Sequence, residues 1–161
     1  MSPVRLCRAS HRRGQGGLAM VEFAISLPVL LLLLFATAEF GHFMTQYSTL
    51  NDSVRDAARY VAGAALDGTD GLLVTGGAWT PLVTAGQNLA VYGNAGGTGT
   101  ALLPSLKVSQ ITVTEDTVNN NITVTAAYPY QPLFGASMPN FMGGTIGTTF
   151  ILSISTSMRA L

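Results

Sequence analysis

The sequence Gly17-Leu18-Ala19-Met20-Val21-Glu22-Phe23 opens an apolar run that continues to Ala38 and contains one charged residue, Glu22. The run from Leu18 to Ala38 is 21 residues long. As a helix it would span about 30 Å, which is the thickness of a bilayer core. We therefore predict a transmembrane helix over 18–38, kinked at Pro28, which lacks a backbone donor. An ionised carboxylate within such a helix costs roughly 2.5 to 3.5 kcal/mol, so Glu22 needs a partner or a function.

The helical pattern does not stop at the end of the apolar run. Apolar residues recur at steps of three and four at Phe40, Phe43, Met44, Tyr47, Leu50, Val54, Ala58, Val61 and Ala65. This period indicates an amphipathic helix over 39–66, continuous with the membrane segment and ended by Asp67-Gly68. Tyr47, Val54, Ala58 and Val61 are the candidates for packing against the rest of the protein. Ion pairs are expected at Asp52–Arg55 and Asp56–Arg59.

Charge is distributed unevenly along the chain. Only 10% of the 161 residues are charged and 48% are hydrophobic. Four of the eight basic residues precede Gly14, whereas residues 18–161 carry four basic and eight acidic side chains. A basic head before a membrane span predicts a cytoplasmic N-terminus and a C-terminal domain on the other side. The acidic remainder disfavours nucleic acid as a partner.

Few side chains in this sequence are suited to catalysis or to metal binding. The single cysteine, Cys7, cannot form an intramolecular disulfide, and the two histidines, His11 and His42, stand far from each other in sequence. No spacing typical of a metal site or a nucleophile–base pair occurs. We expect a protein that is not an enzyme and that has no cofactor, no metal and no small-molecule substrate.

The segment 67–161 changes character twice. Residues 67–106 are rich in glycine and predict loops with one short helix around Pro81–Ala90. Beyond Lys107 the period becomes two, which predicts a hairpin of Val108–Glu115 and Ile122–Tyr128 and a third strand over Phe150–Met158. Residues 129–147 are predicted as a loop exposing Phe134, Phe141 and Met142. The expected fold is α+β: a long N-terminal transmembrane and amphipathic helix packed on a small antiparallel sheet.

Several short motifs resemble the TadE-like pseudopilin family of the tight-adherence (type IVb, Flp) pilus system. They are Gly17–Phe23, Glu39-Phe40-Gly41, Asp56–Tyr60, Tyr128–Phe134 and Thr156–Arg159. The resemblance implies a pilin-like fold and a minor pseudopilin of the inner membrane that acts in pilus assembly and surface adhesion. Its implied partners are a prepilin peptidase, other pilus subunits, the inner-membrane assembly platform and membrane lipid.

The resemblance also implies a processing site between Gly17 and Leu18, with residues 1–17 as a cytoplasmic leader that is removed. Glu22 and Phe23 would then be recognition and assembly residues. Cleavage creates an ammonium group at Leu18, one helical turn from Glu22. The carboxylate would neutralise that ammonium within one chain or between neighbours, lowering the desolvation cost of both groups. The alternative is that Glu22 extends to the lipid headgroups without a specific partner.

A second interpretation treats residues 1–38 as a secretory signal. Ala36-Thr37-Ala38 satisfies the small-x-small pattern of a signal-peptidase site. The protein would then be a signal-anchored or secreted extracytoplasmic binding protein, cut near Ala38, that does not assemble into pili. The length of the apolar run and the uninterrupted helical pattern beyond Ala38 favour the pseudopilin.

Overall fold

The structure is a computed structural model and describes residues 16–66, 73–74, 76–135, 137–139, 144–147 and 149–160. It divides into two compact units, an N-terminal unit up to Ala38 and a C-terminal unit over Glu39–Leu161. The predicted leader, the helix stop at Asp67-Gly68, and Phe141 and Met142 lie outside the described residues, apart from the end of the leader at Gly16 and Gly17.

The first element, α1, is one helix over Gly16–Ala64, which confirms the long N-terminal helix predicted from the sequence. It begins two residues before the predicted start and ends two residues before the predicted end. Pro28 lies inside it, and a kink there stays a prediction. In the N-terminal unit its side chains are mostly exposed, and by length and composition the helix is able to cross a membrane.

In the C-terminal unit, the second part of α1 buries one face. Its buried apolar residues are Leu50, Val54, Ala57, Ala58, Val61 and Ala62, and Ala65, directly after the helix, is buried as well. The predicted apolar stripe is therefore correct from Leu50 onward. Its first members do not follow the prediction: Phe40, Met44 and Tyr47 are exposed, and Phe43 is only partly buried. One of the two predicted ion pairs is present, Arg59 to Asp56 at 3.6 Å between exposed side chains.

A second helix, α2, covers Trp79–Tyr92 and contains the predicted short helix. Gly93 ends it in a left-handed conformation (φ 73°) and donates its N–H to the carbonyl of Leu89 at 2.9 Å. A Cβ added at Gly86 would collide with the Val61 side chain, so glycine allows α2 to approach α1 closely. Trp79 opens the helix and packs against the core.

Three antiparallel strands form the main sheet, in the order β1–β2–β5. Their bounds are β1 Ile111–Asp116, β2 Asn121–Pro129 and β5 Ile151–Arg159. The predicted hairpin and third strand are confirmed. In β2, Ile122, Val124, Ala126 and Tyr128 are buried and alternate with residues that are more exposed. These side chains and the buried face of α1 belong to one hydrophobic core.

The turn between β1 and β2 is held by Asp116. Its Oδ1 accepts the backbone N–H of Val118 at 3.0 Å and of Asn119 at 3.3 Å, and its Oδ2 accepts the Asn119 side-chain amide at 2.7 Å. These hydrogen bonds, the side-chain one foremost, lower the pKa of Asp116. Asn120 closes the turn with φ 53°, in the left-handed region that asparagine tolerates.

Two parts of the sheet prediction were wrong. Val108–Gln110 forms a 3-10 turn instead of the start of β1, because the Gln110 side chain accepts the Lys107 N–H at 2.9 Å and the Gln110 N–H bonds back to the Lys107 carbonyl. The predicted loop over 129–147 contains a small antiparallel pair, β3 Ser137–Pro139 and β4 Thr145–Gly147. Strands of three residues are too short to show a period in the sequence.

Candidate functional site

In the N-terminal unit, the predicted processing residues lie in the first turn of α1. Leu18 is 76% exposed, and a Cβ added at Gly17 would meet no atom within 4 Å. The first N–H groups of a helix have no intrahelical acceptor, so this turn opens at less cost than the helix interior. The Gly17–Leu18 peptide is therefore sterically open and lies where α1 is easiest to unwind.

Glu22 and Phe23 follow one turn later on the exposed surface of the same unit. Phe23 is 56% exposed. Glu22 lines a shallow groove of about 410 Å³ with Ile25, Ser26, Val29 and Leu30, which follow at helical spacing on one face. This face places a single carboxylate at one end of a mainly apolar groove.

The predicted helix-packing residues lie in the C-terminal unit and do not share one environment. Val54, Ala58 and Val61 are fully buried. Tyr47 is 44% exposed and its ring lies 6.1 Å from the ring of Phe43. Tyr47 precedes Leu50, the first fully buried apolar residue of α1.

A polar cluster in the C-terminal unit was not predicted from the sequence. We call it the Glu39 clasp; its members are Glu39, His42 and Gln46 of α1 and Tyr130, Gln131 and Leu133, which follow β2. The Tyr130 hydroxyl donates to Glu39 Oε1 at 2.5 Å. The Leu133 N–H lies 3.2 Å from Oε1 and 3.1 Å from Oε2 of the same carboxylate. Both carboxylate oxygens are thus used to fix the segment after β2 to the first turn of this unit.

About two helical turns after Glu39, Gln46 repeats this connection. Its Nε2 donates to the Gln131 carbonyl at 2.7 Å, and its Oε1 accepts the Gln131 N–H at 3.3 Å. His42 Nε2 lies 2.7 Å from Gln46 Nε2 and 3.2 Å from the same carbonyl. Gln46 is only 3% exposed, and these bonds satisfy its buried amide.

Aromatic rings surround the clasp. Tyr130 stacks on Phe150 with ring centroids 4.8 Å apart, and Phe43 meets Tyr130 edge-on at 5.8 Å. Burial, followed by the hydrogen bond to Glu39, raises the pKa of Tyr130. The hydroxyl of Tyr130 therefore stays protonated and serves as a permanent donor to the carboxylate.

The sequence motifs contain residues of the Glu39 clasp but do not indicate that these residues meet. Glu39-Phe40-Gly41 and Tyr128–Phe134 were each singled out as motifs, about ninety positions apart. Nothing in their composition indicates that they meet, because contact between them depends on where β2 ends relative to α1. The structure brings the two motifs together through Glu39, Tyr130 and Leu133.

Within the described ranges, no group of three or more His, Cys, Asp or Glu side chains is arranged to hold a metal ion. The described features are a sterically open first turn of α1, a carboxylate beside apolar residues of one helix face, and the Glu39 clasp.

Together these observations define a class: an α+β protein with one N-terminal helix that is long and apolar enough to cross a membrane. Residues 17–59 match the family described as TadE-like protein, which confirms the family predicted from the motifs along α1. The family implies a protein related to the tight-adherence pilus. The match covers 43 of the 161 residues, beginning at Gly17 and ending at Arg59. Comparisons with curated proteins and with solved structures found no match.

The clasp yields a prediction about stability. Glu39→Ala leaves the Tyr130 hydroxyl and the Leu133 N–H without their acceptor, so the free energy of unfolding should fall by about 1–3 kcal/mol. Thermal and denaturant unfolding of the full chain in detergent micelles, followed by near-ultraviolet circular dichroism, measures the change. Asp52→Ala, an exposed carboxylate on the same helix, is the matched control and should stay within about 0.5 kcal/mol of the parent. Equal losses in the two variants would contradict the role of the clasp.

Proposed function

We propose that this chain is a minor pseudopilin of a tight-adherence pilus. A prepilin peptidase cuts it between Gly17 and Leu18, and 18–38 then holds the mature chain in the inner membrane. The basic residues before Gly14 keep the N-terminus in the cytoplasm. The C-terminal unit acts outside that membrane, with other pilus subunits and the assembly platform, in pilus assembly and surface adhesion.

The observation that carries this proposal is the position of the family match on α1. The match starts at Gly17, the proposed cleavage residue, and continues to Arg59, within the buried part of the helix. A removable signal needs no continuity with the folded domain. Here α1 has no break at Ala38, where a signal peptidase would cut. One uninterrupted helix favours a subunit that keeps its membrane segment.

The proposed role of Glu22 follows from electrostatics. Cleavage at Gly17 generates an ammonium at Leu18, four residues before Glu22, and both charges would lie in or near lipid. Separately each is costly to desolvate, and pairing offsets part of that cost. The apolar groove that continues from Glu22 through Ile25 and Val29 is a surface on which a neighbouring helix can lie. Pairing between chains would then fix the axial register of neighbours.

The mature N-terminus tests processing. N-terminal sequencing of the protein recovered from membranes should give Leu18. Gly17→Val should block cleavage because it crowds the scissile bond, whereas Gly16→Val, one residue away, should leave it intact. An N-terminus near Glu39 would instead show a secreted protein, and an uncut chain would leave only an anchored module.

Substitution of Glu22 tests its role in assembly. Glu22→Ala removes the carboxylate but keeps the apolar span, so membrane insertion should be unchanged while the amount in sheared pilus material falls. Ser26→Ala, on the same groove, is the control and should behave like the parent. Quantitative immunoblots of membrane and sheared fractions, in a strain lacking the native copy, measure both. Unchanged recovery of the Glu22 variant would contradict the assembly role.

A further inference from the structure

An exposed apolar surface surrounds the Glu39 clasp. It consists of Phe40, Met44 and Tyr47 on α1, Leu133 after β2, and Phe150 and Ile151 at the start of β5; we call it the apolar collar. Phe40 is 60% exposed, Leu133 54% and Ile151 70%. Large exposed apolar patches on folded domains mark interaction surfaces.

Contacts across the clasp make the collar one surface. The ring of Phe43 lies 6.2 Å from that of Phe40, 6.1 Å from that of Tyr47 and 5.7 Å from that of Phe150. Leu133 is held by its backbone N–H on Glu39. Three segments that are distant in sequence therefore present apolar side chains around the first two turns of α1 in this unit.

The apolar collar contains no charged side chain. Its six residues are uncharged, and the one carboxylate it surrounds, Glu39, accepts hydrogen bonds on both oxygens. A phosphate backbone, a basic peptide or an acidic peptide would find no ionic partner on it. Its chemistry fits an apolar or amphipathic partner.

We propose that the collar docks into the boundary between headgroups and acyl chains of the lipid bilayer. Chain continuity identifies the lipid as occupant: Phe40 is the second residue after Ala38, so it lies about 3 Å of helix rise beyond the membrane segment. The interfacial layer is about 5–7 Å thick on each side of the bilayer core, and aromatic side chains concentrate there. Leu133 is tied to Glu39, the first residue after that segment, and so shares this level.

Lipid accounts for the collar better than a second copy does. Bilayer is present beside every chain that is anchored through 18–38, whereas a second copy must be recruited. Docking would bury Phe40 and Leu133 in this layer, whereas Met44 and Tyr47, about 9 and 14 Å of helix rise after Ala38, would lie towards the outer side of the headgroups. This inference rests on 18–38 lying in lipid and is independent of cleavage at Gly17 and of pilus assembly.

Tryptophan fluorescence in vesicles tests the proposal. The full chain, with Trp79→Phe to remove the native fluorophore, is reconstituted in phosphatidylcholine vesicles with or without lipids brominated near the headgroup end of the acyl chain. Leu133→Trp and Ile151→Trp each place a reporter in the collar. Val118→Trp is the matched control, because Val118 is 87% exposed in the turn at the opposite end of β2. Leu31→Trp reports the membrane segment itself.

Both collar reporters should lose most of their emission to brominated lipid, while the Val118 reporter keeps its emission. Using two collar sites protects the test against one variant that folds poorly. Collar reporters that behave like Val118 while Leu31→Trp is quenched would overturn the proposal. Blue-shifted but unquenched emission would overturn it in favour of a protein partner. An unquenched Leu31→Trp would remove its basis by showing that the anchor is not in lipid.

Discussion

The C-terminal unit depends on the burial of one face of α1. Leu50, Val54 and Val61 are completely buried, and the described part of the chain contains no other helix of comparable length. Each such side chain removed from water contributes roughly 1.5–3 kcal/mol. Small residues between them, Ala57 and Ala58, allow close packing, and Gly86 lets α2 approach Val61. The first part of the same helix is apolar and exposed, whereas its second part is buried on one face, so its sequence must suit both environments.

The Glu39 clasp lies where those environments change. Glu39 is the first residue of the C-terminal unit, and it binds the segment that leaves β2. Gln46 repeats the connection about two turns later, before the first fully buried apolar residue of α1, Leu50. Directional hydrogen bonds therefore lie where the exposed apolar part of α1 gives way to its buried part. Such bonds hold one geometry more strictly than apolar contacts do.

Local patterns predicted the long helix, the hairpin and the third strand because each depends on a period that is visible in sequence. The burial of Val54 and Val61 followed from the same period. The exposure of Phe40, Met44 and Tyr47 did not follow from it, because the same period is present in α1 before Leu50, where the fully buried apolar residues begin. The contact of Glu39 with Tyr130 was also beyond prediction, because it joins motifs whose distance is set by tertiary packing. Strands β3 and β4 are too short to carry a period.

We infer that one continuous helix forms both the membrane-spanning segment and one side of the domain core. Hydrogen–deuterium exchange of the full chain in lipid vesicles tests it most directly, because amides in a helical turn exchange slowly only while that turn is formed. We expect protection that runs without interruption from about Glu22 through Ala38 and Glu39 to Ala64. Rapid exchange confined to residues around Ala38 and Glu39, between two protected segments, would contradict it.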